Sequence, residues 1–291
     1  MLTPTQYADR YRNLEVYVDP APVTVDIHRY HIGAPTSAKD VLWTALREHF
    51  RVKLGRDPTY ELQLRVNNDS AKFTAHTQML QNVVRPFWGK GSPEDCQIVL
   101  QLAVLLEVTT KPALQAYADA NIGLDCNGFV GNYLFRELGP NPWYVDPGER
   151  DVGPSSLITQ ISNLGRPVRS LETMSAGRMY LLAEVDAQGN VMPGGPGRPA
   201  GHLAITEPNR FNPQSFVSNS FGGLDLRASR MGAYGNPAYW AVESTGGIGL
   251  AESWYAFPPN EFVFHPVRGA LCRVFRGSKG SVLRFRVTEL N

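Results

Sequence analysis

Three residue types in the second half of the chain could together form a nucleophilic site: Cys126, His202 and Glu243. Cys126 follows Asp125, and the spacing of apolar residues after it predicts a helix with Asp125 at the N-cap. A thiol in the first turn of a helix lies near unpaired backbone N–H groups and the positive end of the helix dipole, which favour a thiolate. The same N–H groups can stabilise the oxyanion of a tetrahedral intermediate.

A nucleophilic thiol also needs a base that takes its proton and later delivers one to the leaving group. His202 begins a predicted strand over residues 202–206, and Glu243 lies in another predicted strand over 239–244. If these two strands are neighbours, Glu243 can hold the imidazole ring in the required orientation. Three other polar residues compete for this orienting role: Glu207, Asn219 and Asp225.

The residues around the cysteine, Asp-Cys-Asn-Gly-Phe-Val at 125–130, resemble the Asp-Cys-Ser-Gly-Phe-Val helix start of the NlpC-type superfamily of papain-like cysteine peptidases. Gly-His-Leu-Ala-Ile at 201–205 is similar to the Gly-His-Val-Gly-Ile strand of that family, and residues 176–182 resemble the strand before it. The resemblance covers residues 111–291. It implies an α+β fold, with a papain-like antiparallel sheet on which the cysteine helix packs.

The same resemblance implies hydrolysis of amide bonds, typically in the peptide stems of the bacterial cell wall, without a cofactor or a metal. Cys126 would be the nucleophile, with its backbone N–H in the oxyanion hole, and His202 would be the general base and acid. Glu243 would orient His202. The residues expected to contact the substrate are Asp125, Asn127 and Gly128.

Two residues favour other substrates within the same superfamily. Asn127 stands where serine is usual, and Glu243 is typical of divergent branches that act on other amides and on lipid esters. An acyltransferase, a deamidase or an esterase with the same fold is therefore an alternative. A non-catalytic binding or assembly module is another, in which Glu243 is an ordinary solvated or ion-paired carboxylate.

The composition excludes several other classes of protein. Hydrophobic residues make up 43% of the chain and charged residues 19%, which predicts a folded protein. The net charge of +1 provides no field for binding nucleic acid. The longest apolar stretch, residues 98–106, is shorter than the roughly 20 residues of a membrane-spanning helix. The start of the chain lacks the apolar segment of a secretory signal. We therefore expect a peptide or peptidoglycan-like amide substrate, with no nucleic acid partner and no membrane span.

The remaining cysteines and two nearby histidines predict no second site. Three cysteines are too few for a disulfide scaffold, so we expect Cys96 and Cys272 to be structural. His28 and His31 would lie on opposite faces of a strand, and the ligands that complete a zinc site are missing around them. We therefore expect no metal site.

Periodicity and chain-breaking residues predict the elements that position the candidate site. The predicted helices cover residues 40–52, 71–84, 92–107, 110–120 and the segment from Cys126 to Leu138. The predicted strands lie within 16–33 and at 60–66, 178–185, 202–206, 215–220, 239–244, 271–276 and 282–287, the last two forming a hairpin. A Pro- and Gly-containing stretch at 86–91 predicts a boundary between an N-terminal mixed α/β region of unknown role, residues 1–90, and an NlpC-type domain, residues 91–291.

Overall fold

The computed structural model describes residues 1–31, 36–73, 83–139, 164–195, 198–212, 238–257, 262–265, 269–276 and 281–290. The α-helices are α1 (Pro4–Arg12), α2 (Thr36–Leu54), α3 (Pro93–Leu105), α4 (Leu114–Asn121) and α5 (Cys126–Glu137). The strands are β1 (Leu14–Val16), β2 (Val23–Val25), β3 (Leu62–Val66), β4 (Asp69–Phe73), β5 (Arg166–Pro167), β6 (Met179–Glu184), β7 (Pro193–Gly195), β8 (Arg198–Ala200), β9 (Leu203–Asn212), β10 (Ala238–Thr245), β11 (Gly249–Ala256), β12 (Phe262–His265), β13 (Gly269–Arg276) and β14 (Ser281–Leu290). These strands pair in antiparallel fashion, so the predicted α+β class is confirmed.

Six strands of the largest sheet close into a ring. β6 pairs with β9, β9 with β10, β10 with β11, β11 with β13, β13 with β14, and β14 with β6. Alternating side chains of these strands point to the inside and the outside of the ring. The inside is filled by a buried cluster of mainly aromatic and aliphatic residues: Tyr180, Leu182, Ala204, Tyr239, Ala241, Tyr255, Phe257, Phe285 and Val287.

Helix α5 packs on the outside of this ring, against β9 and β10. Phe129 and Val130 of the helix belong to the same buried cluster as Ile205 and Val242 of the two strands. The helix begins where predicted, because the Asp125 carboxylate accepts a hydrogen bond of 2.6 Å from the Gly128 N–H. The cysteine therefore lies in the first turn of a helix that the strands hold from one side.

The N-terminal part of the chain packs on the other side of α5. Tyr7 of α1 lies edge-on to Tyr133 of α5, with ring centroids 5.6 Å apart. The segment 28–31 is hydrogen-bonded to two separate parts of the chain. The Leu124 N–H donates to the Arg29 carbonyl over 2.9 Å, and the Leu250 N–H donates to the His28 carbonyl over 2.6 Å. This segment therefore links the residues before α5 to the start of β11. The boundary predicted at residue 90 stays a prediction.

One predicted helix is wrong at its start. The helix expected over residues 71–84 is replaced at 71–73 by β4, which forms a hairpin with β3. Asn67 and Asn68 have φ angles of 51° and 68°, the backbone conformation of a two-residue hairpin turn. The chain therefore reverses and pairs instead of beginning a helix. Residues 83–84, at the end of that predicted helix, are helical, whereas residues 74–82 and the strand predicted over 215–220 lie outside the described residues.

The hairpin predicted near the C-terminus is confirmed, since β13 and β14 pair over seven residue pairs from Ala270–Val287 to Arg276–Ser281. Among the described helices, none has the length and apolar composition that crossing a membrane requires.

The start of α5 is held by a close backbone contact. A Cβ atom added to Gly128 would lie 1.8 Å from the carbonyl oxygen of Gly89. The Gly89 carbonyl also accepts a hydrogen bond of 3.1 Å from the Asp125 N–H. Only glycine at position 128 leaves room for this carbonyl, which therefore fixes the helix start against the 86–91 stretch.

We expect the Gly128→Ala substitution to lower the free energy of unfolding by about 3 kcal/mol or more, because the added methyl group would push two backbone segments apart. Urea denaturation followed by circular dichroism measures this change.

The matched control is Gly177→Ala, whose added methyl group would lie 3.8 Å from Asn209 Oδ1, an ordinary contact. We expect that variant to stay within about 0.5 kcal/mol of the native protein. Equal stability of the two variants would contradict the proposed contact.

Candidate functional site

The Cys126 side chain is 4% exposed and lies at the start of α5. Its Sγ atom is 3.8 Å from Asn127 Oδ1 and 4.0 Å from the Gly201 carbonyl oxygen. Helix geometry leaves the N–H groups of the first turn without an intrahelical acceptor, and Asp125 satisfies the one on Gly128. The backbone N–H groups of Cys126 and Asn127 are therefore the first-turn donors nearest the thiol.

His202 lies immediately before β9, and its ring reaches Glu243 on the next strand. The Nε2 atom of His202 donates a hydrogen bond to Oε2 of Glu243. Ala204 of β9 pairs with Glu243 of β10, so the condition for contact between His202 and Glu243, that these strands are neighbours, is met. The Glu243 side chain is fully buried, and that of His202 is 12% exposed. The carboxylate therefore contacts the imidazole from inside the ring of strands.

The charge state of His202 depends on both of its neighbours. Burial lowers the pKa of His202, but hydrogen bonds and negative charge from Cys126 and Glu243 outweigh burial and raise it to about 9. Because Nε2 is bonded to Glu243, Nδ1 is the ring nitrogen left for proton exchange. The imidazole of His202 thus bonds to the carboxylate and interacts with the thiol of Cys126, which raises its pKa.

A further residue that contacts Glu243, Tyr255, was not predicted from the sequence. The O–H of Tyr255, on β11, donates a hydrogen bond of 2.7 Å to Oε2 of Glu243. Tyr255 pairs with Tyr239 in the β10–β11 hairpin, and residues 239, 241 and 243 share one face of β10. The signal that could have located it is the hairpin register, which the glycines at 246, 247 and 249 set.

The three predicted substrate-binding residues lie together at the start of α5. Asp125 is buried, caps the helix and forms an ion pair of 2.5 Å with the Nζ atom of Lys90. Gly128 is buried against Gly89. Of the three, Asn127 has a partly exposed side chain next to the thiol. Their contacts with a substrate stay predictions.

Two further residues near the thiol come from the first 90 residues and were not predicted. Lys90 binds Asp125, as described above. Tyr30 is half-buried, and burial together with the negative charges of Cys126 and Asp125 raises the pKa of its phenol well above the usual range. Its phenol therefore stays protonated. The sequence contains no local signal for either residue, because each meets the site only through the fold.

The other candidates have different positions. Glu207, a competitor for orienting His202, instead accepts hydrogen bonds of 2.8 and 2.9 Å from the backbone N–H and the hydroxyl of Thr5. The competitors Asn219 and Asp225 lie outside the described residues. Cys96 is fully buried, and burial raises the pKa of its thiol far above the usual range. Cys272 lies in β13.

The described residues, among them His28 and His31, contain no group of three or more His, Cys, Asp or Glu side chains arranged to hold a metal ion. No protein-family model, curated protein or solved structure matches the chain.

The contacts of His202 predict its titration. We expect the His202 ring to titrate with a midpoint near pH 9. In Glu243→Gln the midpoint should fall by about 1 to 2 pH units, because the loss of the negative charge disfavours the imidazolium. Proton NMR of the histidine ring hydrogens measures both values, with His202 assigned by comparison with His202→Gln.

His49 provides an internal reference in the same spectra. Burial, with a further contribution from Lys53, lowers the pKa of His49, and it should titrate below 6.5 in both proteins. A His202 midpoint near 6.5 in the native protein would show that the ring is not bonded to Cys126 and Glu243.

Proposed function

We propose that this protein is a cysteine hydrolase that cleaves amide bonds, with Cys126 as nucleophile, His202 as general base and acid, and Glu243 as the residue that orients His202. The observation that supports the proposal most directly is the hydrogen bond between His202 and the buried Glu243, with the thiol of Cys126 at the start of α5 close enough to influence the pKa of His202. This arrangement of nucleophile, base and orienting group is the one that thiol-dependent acyl transfer requires.

The first half of the reaction forms an acyl-enzyme. The Cys126 thiolate attacks the carbonyl carbon of the amide, a carbon–sulfur bond forms, and the carbonyl oxygen becomes an oxyanion. The backbone N–H groups at the start of α5 stabilise this oxyanion. The imidazolium of His202 then gives its Nδ1 proton to the leaving nitrogen as the carbon–nitrogen bond breaks, and an amine departs.

The second half releases the acid. Neutral His202 takes a proton from a water molecule, whose oxygen attacks the thioester carbon. The tetrahedral intermediate collapses, the carbon–sulfur bond breaks, and Cys126 returns to its thiolate beside the imidazolium. Glu243 keeps Nε2 of His202 as a donor throughout, so Nδ1 faces the reacting atoms in both halves.

We further propose that the chain belongs to the NlpC-type superfamily of papain-like cysteine peptidases, with peptide of the bacterial cell wall as the favoured substrate. The Asp-Cys-Asn-Gly-Phe-Val motif at 125–130 and the packing of α5 against antiparallel strands support this assignment. The division into a region of residues 1–90 and a catalytic domain of residues 91–291 belongs to the same proposal.

A second candidate is ester cleavage or acyl transfer at the same thiol. It is favoured by Asn127 beside Sγ, and by the engagement of Asp125 with Lys90 and Gly128. Because the Asp125 carboxylate already binds Lys90 and the Gly128 N–H, it is less able to bind a charged group of a polar peptide. The two candidates share the acyl-enzyme and differ in the group that forms it or accepts the acyl group.

The thiol of Cys126 should react with iodoacetamide at neutral pH much faster than that of Cys96, because it lies beside His202 at a helix start and Cys96 is fully buried. In His202→Gln we expect the Cys126 rate to fall by at least about tenfold. Peptide mass spectrometry after timed labelling gives both rates. Labelling of Cys126 only on unfolding would refute a nucleophilic thiol.

Hydrolysis itself is tested on a panel of cell-wall muropeptides, unmodified peptides, acyl esters and acyl esters with an added amine acceptor. We expect Cys126→Ala to abolish turnover, and His202→Gln to reduce it by about 100-fold or more. The control Cys96→Ala removes the fully buried thiol of α3 and should retain activity. Turnover of esters alone would favour the second candidate, and equal turnover by Cys126→Ala would contradict both.

A further inference from the structure

The carboxylate of Glu243 lies in an unusual place for a charged group. Its side chain is fully buried on the inside of the ring of strands, where the neighbouring side chains are mainly aromatic and aliphatic. Burying a charge is costly unless hydrogen bonds and an opposite charge compensate for it. The donors that meet this carboxylate therefore decide whether it stays ionised and where it points.

Two donors meet the same oxygen of this carboxylate. His202 Nε2 and the Tyr255 hydroxyl both donate to Oε2 of Glu243. Tyr255 is itself fully buried, lies opposite Tyr239 in the β10–β11 hairpin and contacts Phe285 edge-on, with ring centroids 5.5 Å apart. The phenol is therefore fixed by packing on one side and by Glu243 at its hydroxyl.

We propose that Tyr255 is a positioning residue that acts on His202 through Glu243, by holding the carboxylate in place and competing with the imidazole for its negative charge. The proposal deepens the proposed hydrolase function and rests on it for its catalytic meaning. The contact of the tyrosine, the carboxylate and the imidazole can nevertheless be tested without any substrate.

The relative strength of the two hydrogen bonds to Glu243 changes with the protonation state of His202. While His202 is an imidazolium, its positive charge compensates Glu243 directly. Once His202 has given its Nδ1 proton to the leaving group, the Nε2–H of the neutral ring still donates to Oε2 but brings no positive charge, and the Tyr255 hydroxyl donates to the same oxygen. The hydrogen bond from Tyr255 is therefore stronger when His202 is neutral, so Tyr255 favours release of the proton.

Three other titratable side chains of the described residues lie near His202 or inside the ring of strands: Cys126, Tyr180 and Tyr239. Cys126 lies at the start of α5, outside the ring of strands, and interacts with the imidazole of His202. Inside the ring of strands, Tyr180 uses its hydroxyl to accept a hydrogen bond of 2.7 Å from the Ser175 N–H. Tyr239 packs edge-on against Tyr180 and Phe257. Tyr239 is thus a tyrosine of the same interior whose ring contacts other aromatic rings, and it provides a matched control.

The Tyr255→Phe substitution should raise the midpoint of the His202 titration by about half a pH unit or more, because the neutral ring loses its better-compensated carboxylate. Tyr239→Phe removes one hydroxyl from the same interior and should leave the midpoint unchanged. In a Glu243→Gln background, Tyr255→Phe should have no further effect, since the charge through which it acts is gone. NMR of the His202 ring measures all four proteins.

A second substitution keeps the test informative if Tyr255→Phe does not fold. 3-Fluorotyrosine introduced at position 255 has a more acidic hydroxyl and donates a stronger hydrogen bond, so the His202 midpoint should fall. An unchanged midpoint in both Tyr255 variants, or an equal shift in Tyr239→Phe, would overturn the positioning role. Slow alkylation of Cys126 in the native protein would instead overturn the proposed function. The two failures are therefore distinguishable.

Discussion

A buried negative charge organises this structure. Glu243 points into the ring of strands, and its carboxylate needs donors that the backbone of β10 cannot provide, because those groups are used in strand pairing. One donor, His202, comes from the strand on one side, and the other, Tyr255, from the strand on the opposite side. The order β9–β10–β11 is therefore what allows the charge to be buried, and the charge in turn fixes the imidazole beside the thiol.

The first 90 residues take part in the construction of the site. The Gly89 carbonyl contacts the start of α5, Lys90 compensates Asp125, and the segment 28–31 is hydrogen-bonded to Leu124 and Leu250. Ser244, next to Glu243, donates a buried hydrogen bond of 2.7 Å to the Leu124 carbonyl. The helix that carries the thiol and the strand that carries the carboxylate are thus joined both directly and through the N-terminal segment.

The sequence predicts those features that depend on local patterns. Asp125 and the apolar spacing after it locate α5, and strand alternation places His202 and Glu243 where neighbouring strands bring them together. Tyr255 depends on the register of the β10–β11 hairpin, which strand alternation alone does not give, and Lys90 depends on tertiary packing, which a single sequence does not encode locally. The helix predicted after residue 70 fails for a related reason. Two successive asparagines adopt the left-handed conformation and turn the chain into a hairpin, against the helical pattern that follows.

The hydrogen bonds that join α1 and the segment 28–31 to the strands have a consequence for biosynthesis. Thr5 bonds to Glu207, Arg12 to Glu252 and His28 to Leu250, so the partners are separated by more than 200 residues of chain. Contacts at such separation form late, because a long loop must close before they contribute. On the ribosome the thiol of Cys126 is made well before His202, Glu243 and Tyr255 leave the tunnel. The nascent chain therefore carries an incomplete site until the residues up to Tyr255 have been synthesised and have left the ribosome.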